Sequence, residues 1–286
     1  MRIGVRGHDI GLYKLDDIGR IMKEKGLKSV QFVAKKIISE FEVTRGCMTP
    51  GMAQYINNTL NKYEVNISIL GCYINLANPD DNELKESLDT FKEHIRFAKY
   101  LGCNVVGTET GAFNKEYIYT EKNNTEEAFL RSLNSIRILV KEAEKFGIVV
   151  GIEGVTKHIM NTPERLKRAL DNVESNNLQV IFDPINFIDE SNYDKQDEII
   201  RKSFELFGDR IVIIHAKDFI YKDGKVQQVS IGKGQFNYPL LLKLIKERKP
   251  YIDIILEDTI PEDLDSSIKY IEEIYLSLIH ISDGAR

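Results

Sequence analysis

Four residues of metal-ligand type stand at the ends of short apolar runs: Glu153 in VVGIE, Asp183 in QVIFD, His215 in IVIIH and Glu257 in DIILE. They follow one another at intervals of 30, 32 and 42 residues. Three carboxylates and one imidazole make a hard, oxygen-rich donor set. It suits one divalent ion, Mn²⁺ first, with Mg²⁺, Co²⁺ or Zn²⁺ as alternatives, and leaves positions for water or substrate oxygens. Three carboxylates brought together without a cation would repel one another, so the ion would also settle their electrostatics. Taken singly, a carboxylate at a strand end is more often a helix cap or a surface group. Four in consecutive strands, each directly after an apolar run, do not fit that reading.

The elements that must position these residues alternate along the whole chain. RIVIIHAKDF, Arg210 to Phe219, is typical: a β-branched apolar run without polar alternation, as in a parallel strand covered on both faces, delivering His215, Lys217 and Asp218 at its C-terminal end. Comparable strands are expected at Arg2 to Val5, Ser29 to Ala34, Asn66 to Tyr73, from Asn104, Ile148 to Ile152, Leu178 to Phe182 and Tyr251 to Leu256. Helical spacing fills the intervals, with Thr49-Pro50 and Thr162-Pro163 as helix starts and Gly26, Gly102 and Gly147 as stops. The first two intervals between the four residues each match one strand–helix unit. The third is longer by about a hairpin, which Asp223-Gly224 would turn. Eight such units predict a (β/α)₈ TIM barrel as a single domain over residues 1–280, with 281–286 as a frayed polar tail. GxGxxG and GxxxxGK[ST] are both missing, which argues against a doubly wound nucleotide-binding sheet. Neighbouring barrel strands lie about 5 Å apart, so four side chains at one end of adjacent strands can converge.

Bulk properties agree. The chain has 286 residues, 42% hydrophobic and 29% charged, with net charge −5. A nucleic-acid footprint would normally show as a basic excess, so nucleic acid is not an expected partner. Three cysteines with no CxxC spacing indicate reduced thiols. No apolar run is long enough to span a membrane, and MRIGVRGHD runs straight into a strand pattern, leaving no room for a signal peptide. The expected location is the cytoplasm.

IEGVTKHIMNTPE, FDPINF, IHAKDF, IGKGQFNYPLLLKLIK and IILEDT together resemble the xylose isomerase-like TIM barrel superfamily of sugar isomerases and epimerases. Position by position, the resemblance puts the metal ligands on Glu153, Asp183, His215 and Glu257, and gives Glu153 and Glu257 the further task of moving protons. It implies a sugar, sugar phosphate or keto-polyol substrate, isomerised or epimerised by proton abstraction next to a carbonyl through an enediolate that the metal stabilises. A keto-polyol dehydratase of inosose dehydratase-like type follows the same first step and is the alternative. An endonuclease IV-like nuclease is a remote one, since such nucleases are histidine-rich and this chain has five histidines. A barrel kept only for binding would be expected to lose ligands. Members of the group often pair through their helical faces, so a homo-oligomer is compatible with the resemblance.

Two departures bear on specificity. Many ketose epimerases carry histidine where this chain has Asn186, and an arginine where Lys217 and Asp218 stand. Substrate contacts are expected from His8, Glu109, His158, Asn186 and Lys217, all near strand ends. Gln31 reads as a barrel-core polar group or an inward contact, and Tyr73 and Phe113 as an apolar wall or ordinary packing. Lys233, between two glycines, is a phosphate-binding candidate whose competing reading is a solvated side chain. His94 and His280 read as structural or solvated. A nucleophilic cysteine–histidine pair is not indicated.

Overall fold

The computed structural model describes the backbone of residues 1–283 and the side chains of residues 1–278. Ten strands form: β1 Arg2–Arg6, β2 Ser29–Phe32, β3 Asn66–Gly71, β4 Val105–Glu109, β5 Val149–Glu153, β6 Leu178–Phe182, β7 Ile211–Ala216, β8 Asp218–Lys222, β9 Lys225–Val229 and β10 Asp253–Leu256. All but β8 and β9 are parallel and close into a barrel in the order β1-β10-β7-β6-β5-β4-β3-β2. The pair β8–β9 is an antiparallel hairpin, turned at Asp223 and Gly224 with φ of 51° and 75°. This is the (β/α)₈ barrel that the strand rhythm predicts.

The two-residue period of a strand sorts each side chain to one of two cores. Val150, Ile152, Val180, Phe182, Ile214, Ile254 and Leu256 face outward into the main core, against the helices. The alternate residues Ile69, Ile181, Ile213 and Ile255 pack together as a separate inner cluster. Gly107 and Gly151, paired across β4 and β5, give that cluster its room: a Cβ on either would stand under 3 Å from Ile181 Cδ1. The next inward positions after Gly107, Gly151, Ile181, Ile213 and Ile255 are Glu109, Glu153, Asp183, His215 and Glu257. The same alternation that fills the barrel therefore aims five ionisable groups at its C-terminal mouth, where barrel active sites form.

The helices are α1 Gly7–Ile10, α2 Leu15–Glu24, α3 Ala34–Ile37, α4 Pro50–Asn61, α5 Asp81–Ala98, α6 Glu126–Phe146, α7 Pro163–Asp171, α8 Gln196–Phe207, α9 Tyr238–Arg248 and α10 Leu264–Asp283. Thr49, Asp80, Thr125, Thr162 and Asn237 cap α4, α5, α6, α7 and α9 by accepting backbone N–H groups of the first turn. Several strand boundaries shift by one or two residues from the sequence reading. β2 stops at Phe32 because Ala34–Ile37 coils into a helical turn, and β3 stops at Gly71 rather than Tyr73. The single-turn helices α1 and α3 are too short for apolar periodicity to reveal. The expected tail, 281–286, begins inside α10, and 284–286 lie outside the described residues. No helix among the described residues is long and apolar enough to cross a membrane.

Candidate metal centre

Glu153, Asp183, His215 and Glu257 are all buried, and one ligand atom from each lies within 4.8 Å of the others. Asp183 follows β6 directly and folds back on its own loop. Its Oδ1 accepts N–H groups from Ile185 at 2.9 Å and Asn186 at 3.3 Å, so Oδ2 is left facing the cluster. Oδ2 accepts no well-aligned hydrogen bond and has Lys217 Nζ at 2.9 Å. Glu153 Oε1 accepts the Asn186 side-chain amide at 2.6 Å and lies 3.1 Å from His215 Nδ1. Glu257 Oε1 lies 3.5 Å from the same Nδ1, and its Oε2 faces Lys217 Nζ at 3.1 Å and Arg6 Nη1 at 3.5 Å. Three carboxylates and an imidazole, buried and convergent, fit one hard or borderline divalent ion.

The charges respond to this crowding. Burial pushes the Asp183 carboxyl up to about 6 against the pull of Lys217, and burial also raises Glu153. Glu257 is equally buried, yet His215, Lys217 and Arg6 together hold it down to about 2. His215 is raised to about 9 despite burial, because Glu257 and Glu153 flank its ring. Lys217 is likewise held charged, by Asp183 and Glu257.

The residues expected to contact substrate surround this centre. Glu109 is in register with Glu153 across β4 and β5. The Tyr117 hydroxyl donates to Glu109 Oε2 at 3.0 Å, and His158 stacks on the Tyr117 ring at 5.1 Å. His158 Nδ1 is 3.6 Å from the same carboxylate oxygen. Burial lowers His158 to about 4, and burial with Arg6 and Lys36 lowers His8 to about 4. His8 sits on α1, close enough to Glu257 and Asp258 for their charge to reach it. Asn186 commits both ends of its amide inside the site, donating to Glu153 and accepting from Lys217 at 3.2 Å. Gln31 donates to the Tyr73 hydroxyl at 2.5 Å, and that hydroxyl feels the charge of Glu153, Glu257 and Glu109.

Sequence reasoning passed over Arg6 and Tyr117. Arg6 ends β1 as Glu153 ends β5, and it binds Asp9, Asp258 and Glu257. Its position at a strand end was the available signal. Tyr117 lies in a loop without periodicity, and its φ of 57° is unusual for a non-glycine residue. Asp218 does not enter the pocket. Its carboxylate accepts N–H groups from Phe219, Gly232, Gly234 and Phe236 at 2.8 to 3.0 Å. The glycine loop around Lys233 is therefore closed on an internal anion, and exposed Lys233 pairs with Asp263. His94 bonds within α5, and the His280 side chain lies outside the described residues. Cys72 and Cys103 are buried thiols pushed up to about 12 and about 11. A cavity of about 390 Å³ lies outside the barrel wall, between Val43, Met48, Leu70, Cys72, His94 and Phe97. None of the four clustered residues lines it.

The model of xylose isomerase-like TIM barrels matches residues 20–274. The chain belongs to the xylose isomerase-like TIM barrel family. Among solved structures, a D-tagatose 3-epimerase-like protein superposes with TM-score 0.77 at 21% identity, over 99% of each chain. The IOLI protein with a binding zinc atom gives 0.73 at 17% identity, over 98% of each. The probable 3-DHS dehydratase AsbF of Bacillus anthracis, involved in petrobactin synthesis, gives 0.74 at 14% identity, over 95% of this chain and 99% of its own. Likeness at these identities establishes the fold. No curated protein sequence matches significantly.

Proposed function

We propose that the protein is a divalent-metal-dependent isomerase or epimerase of a sugar, sugar phosphate or keto-polyol, with Mn²⁺ as the first candidate ion. One observation carries this reading: Glu153 and Glu257 come from strands with two others between them, yet both converge on His215 Nδ1. They reach the cluster from different strands, so one can take a proton from the carbon beside a carbonyl and the other can return it. A bound divalent ion would polarise that carbonyl and steady the negative charge that develops next to it. Asn186 and His215 orient Glu153, while Arg6 orients Glu257. Glu109, with Tyr117 and His158 behind it, presents a carboxylate beside Glu153 for a sugar hydroxyl, and His8 stands near Glu257. The epimerase-like protein among the structural neighbours supports this reaction class. The dehydratase among them supports the second reading, loss of water from a keto-polyol after the same first step.

The test is a ketose and keto-polyol panel incubated with Mn²⁺-loaded protein in D₂O. Deuterium should enter beside the carbonyl, and product analysis separates interconversion from water loss. Glu153→Gln and Glu257→Gln should each lower turnover by about 10²-fold or more while metal stays bound. Full turnover in either metal-loaded variant would sink the proposal.

A further inference from the structure

Lys217 occupies an unusual place for a residue read as a substrate contact. Its side chain is 8% exposed, and Nζ stands 2.9 Å from Asp183 Oδ2, 3.1 Å from Glu257 Oε2 and 3.8 Å from Asp258 Oδ2. The first two oxygens belong to residues of the metal cluster. Its backbone is pinned on both sides: the Lys217 carbonyl accepts the Tyr238 hydroxyl at 2.6 Å, and Asp218 is tied into the loop that follows. The ammonium therefore reaches these oxygens on its own four-carbon stem, from a fixed root two residues beyond His215.

We propose that Lys217 is a tethered cation that holds the ligand carboxylates together before a divalent ion arrives and competes with the ion for them. The inference rests on the metal reading above. Buried carboxylates left unpaired are strongly destabilising, and a single ammonium between Asp183 and Glu257 relieves that repulsion from within the chain. A divalent ion seeks the same oxygens. Two cations cannot share them at about 3 Å without strong mutual repulsion in a dry site, so the ammonium must withdraw as the ion binds. Arg6 differs: its guanidinium is fixed by Asp9 and Asp258 and reaches Glu257 only at 3.5 Å. Lys217 is thus a positioning residue with opposite effects on the two states. It stabilises the metal-free fold and weakens metal binding.

The test compares full-length wild type with Lys217→Met and Lys217→Gln, stripped of metal and titrated with MnCl₂ by calorimetry at one pH and ionic strength. Both variants should bind Mn²⁺ about tenfold more tightly or better, from removal of the competing charge. Their metal-free melting temperatures should fall, while the Mn²⁺-saturated ones stay near wild type. If a variant does not survive stripping, chelator competition starting from its Mn²⁺-loaded form reads the same affinity. Unchanged or weaker affinity in both variants overturns the inference. Binding in the variants but not in wild type upholds the competition while defeating the proposed metal-dependent function. Binding in none of the three defeats both.

Discussion

His158 is neutral at physiological pH for a reason independent of the metal centre: its ring is buried against Tyr117, with 12% of the side chain exposed. Its folded value of about 4 lies below the ordinary 6.5. Between those two values the unfolded chain binds a proton that the folded chain refuses, so stability falls as pH drops through that window. The neutral ring's contribution is complete above about 6.5 and lost by about 4, and a shift of this size corresponds to about 3 kcal/mol. His158→Phe keeps the stacked shape without the titrating nitrogen. Urea unfolding at a series of pH values should show a shallower decline for the variant across that window, and parallel curves would refute the assignment. At this scale the sequence reading reached the four clustered residues, because each ends a strand whose apolar run announces it. It could not reach the bond from Tyr117 to Glu109, since a contact between a loop and a strand end leaves no periodic trace.

Between β9 and α9 a single carboxylate replaces secondary structure. Asp218 gathers the backbone of residues 230–236 by accepting three of its N–H groups, from Gly232, Gly234 and Phe236, besides that of Phe219, and Gly234 allows the close approach: a Cβ there would stand 2.1 Å from Asp218 Oδ1 and 2.4 Å from the Phe219 carbonyl oxygen. Read as a string, Gly232-Lys233-Gly234 suggested an anion site, and the backbone does form one. Its anion comes from the chain itself, fourteen to eighteen residues earlier. Asp218→Ala leaves these donors to water or to one another and should cost about 2–4 kcal/mol, with Asp218→Asn milder because one acceptor remains. Gly234→Ala should destabilise comparably through backbone displacement. Hydrogen exchange of residues 230–236 gives the direct readout: protection should drop locally in all three variants, and protection equal to wild type would remove the carboxylate from this role. The hairpin that brings the loop back was legible from Asp223-Gly224, while its tether was not, because accepting backbone N–H groups is a property of the fold rather than of residue type.

At the scale of the whole barrel, the clustered residues lie on β5, β7 and immediately after β6 and β10, and they meet because the sheet closes. Strand rhythm made that closure legible; the identity of the substrate was not, because the loops beyond the strands that shape the mouth carry no periodicity. The closure has a thermodynamic consequence. The unfolded chain has no site, so the free energy of metal binding adds to that of folding. Mn²⁺ at about 100 times its dissociation constant should add about 2.7 kcal/mol. For a domain of this size that corresponds to a rise in melting temperature of about 5 °C. Asp183→Asn removes one carboxylate charge while keeping its shape and the Oδ1 bonds to Ile185 and Asn186, so it should abolish most of the rise without unfolding the protein. A thermal-shift series over Mn²⁺, Co²⁺, Mg²⁺ and Zn²⁺, reversed by chelator, would also rank the ions. An identical rise in wild type and Asp183→Asn would mean that the stabilising metal binds elsewhere, and would separate the barrel's stability from this cluster.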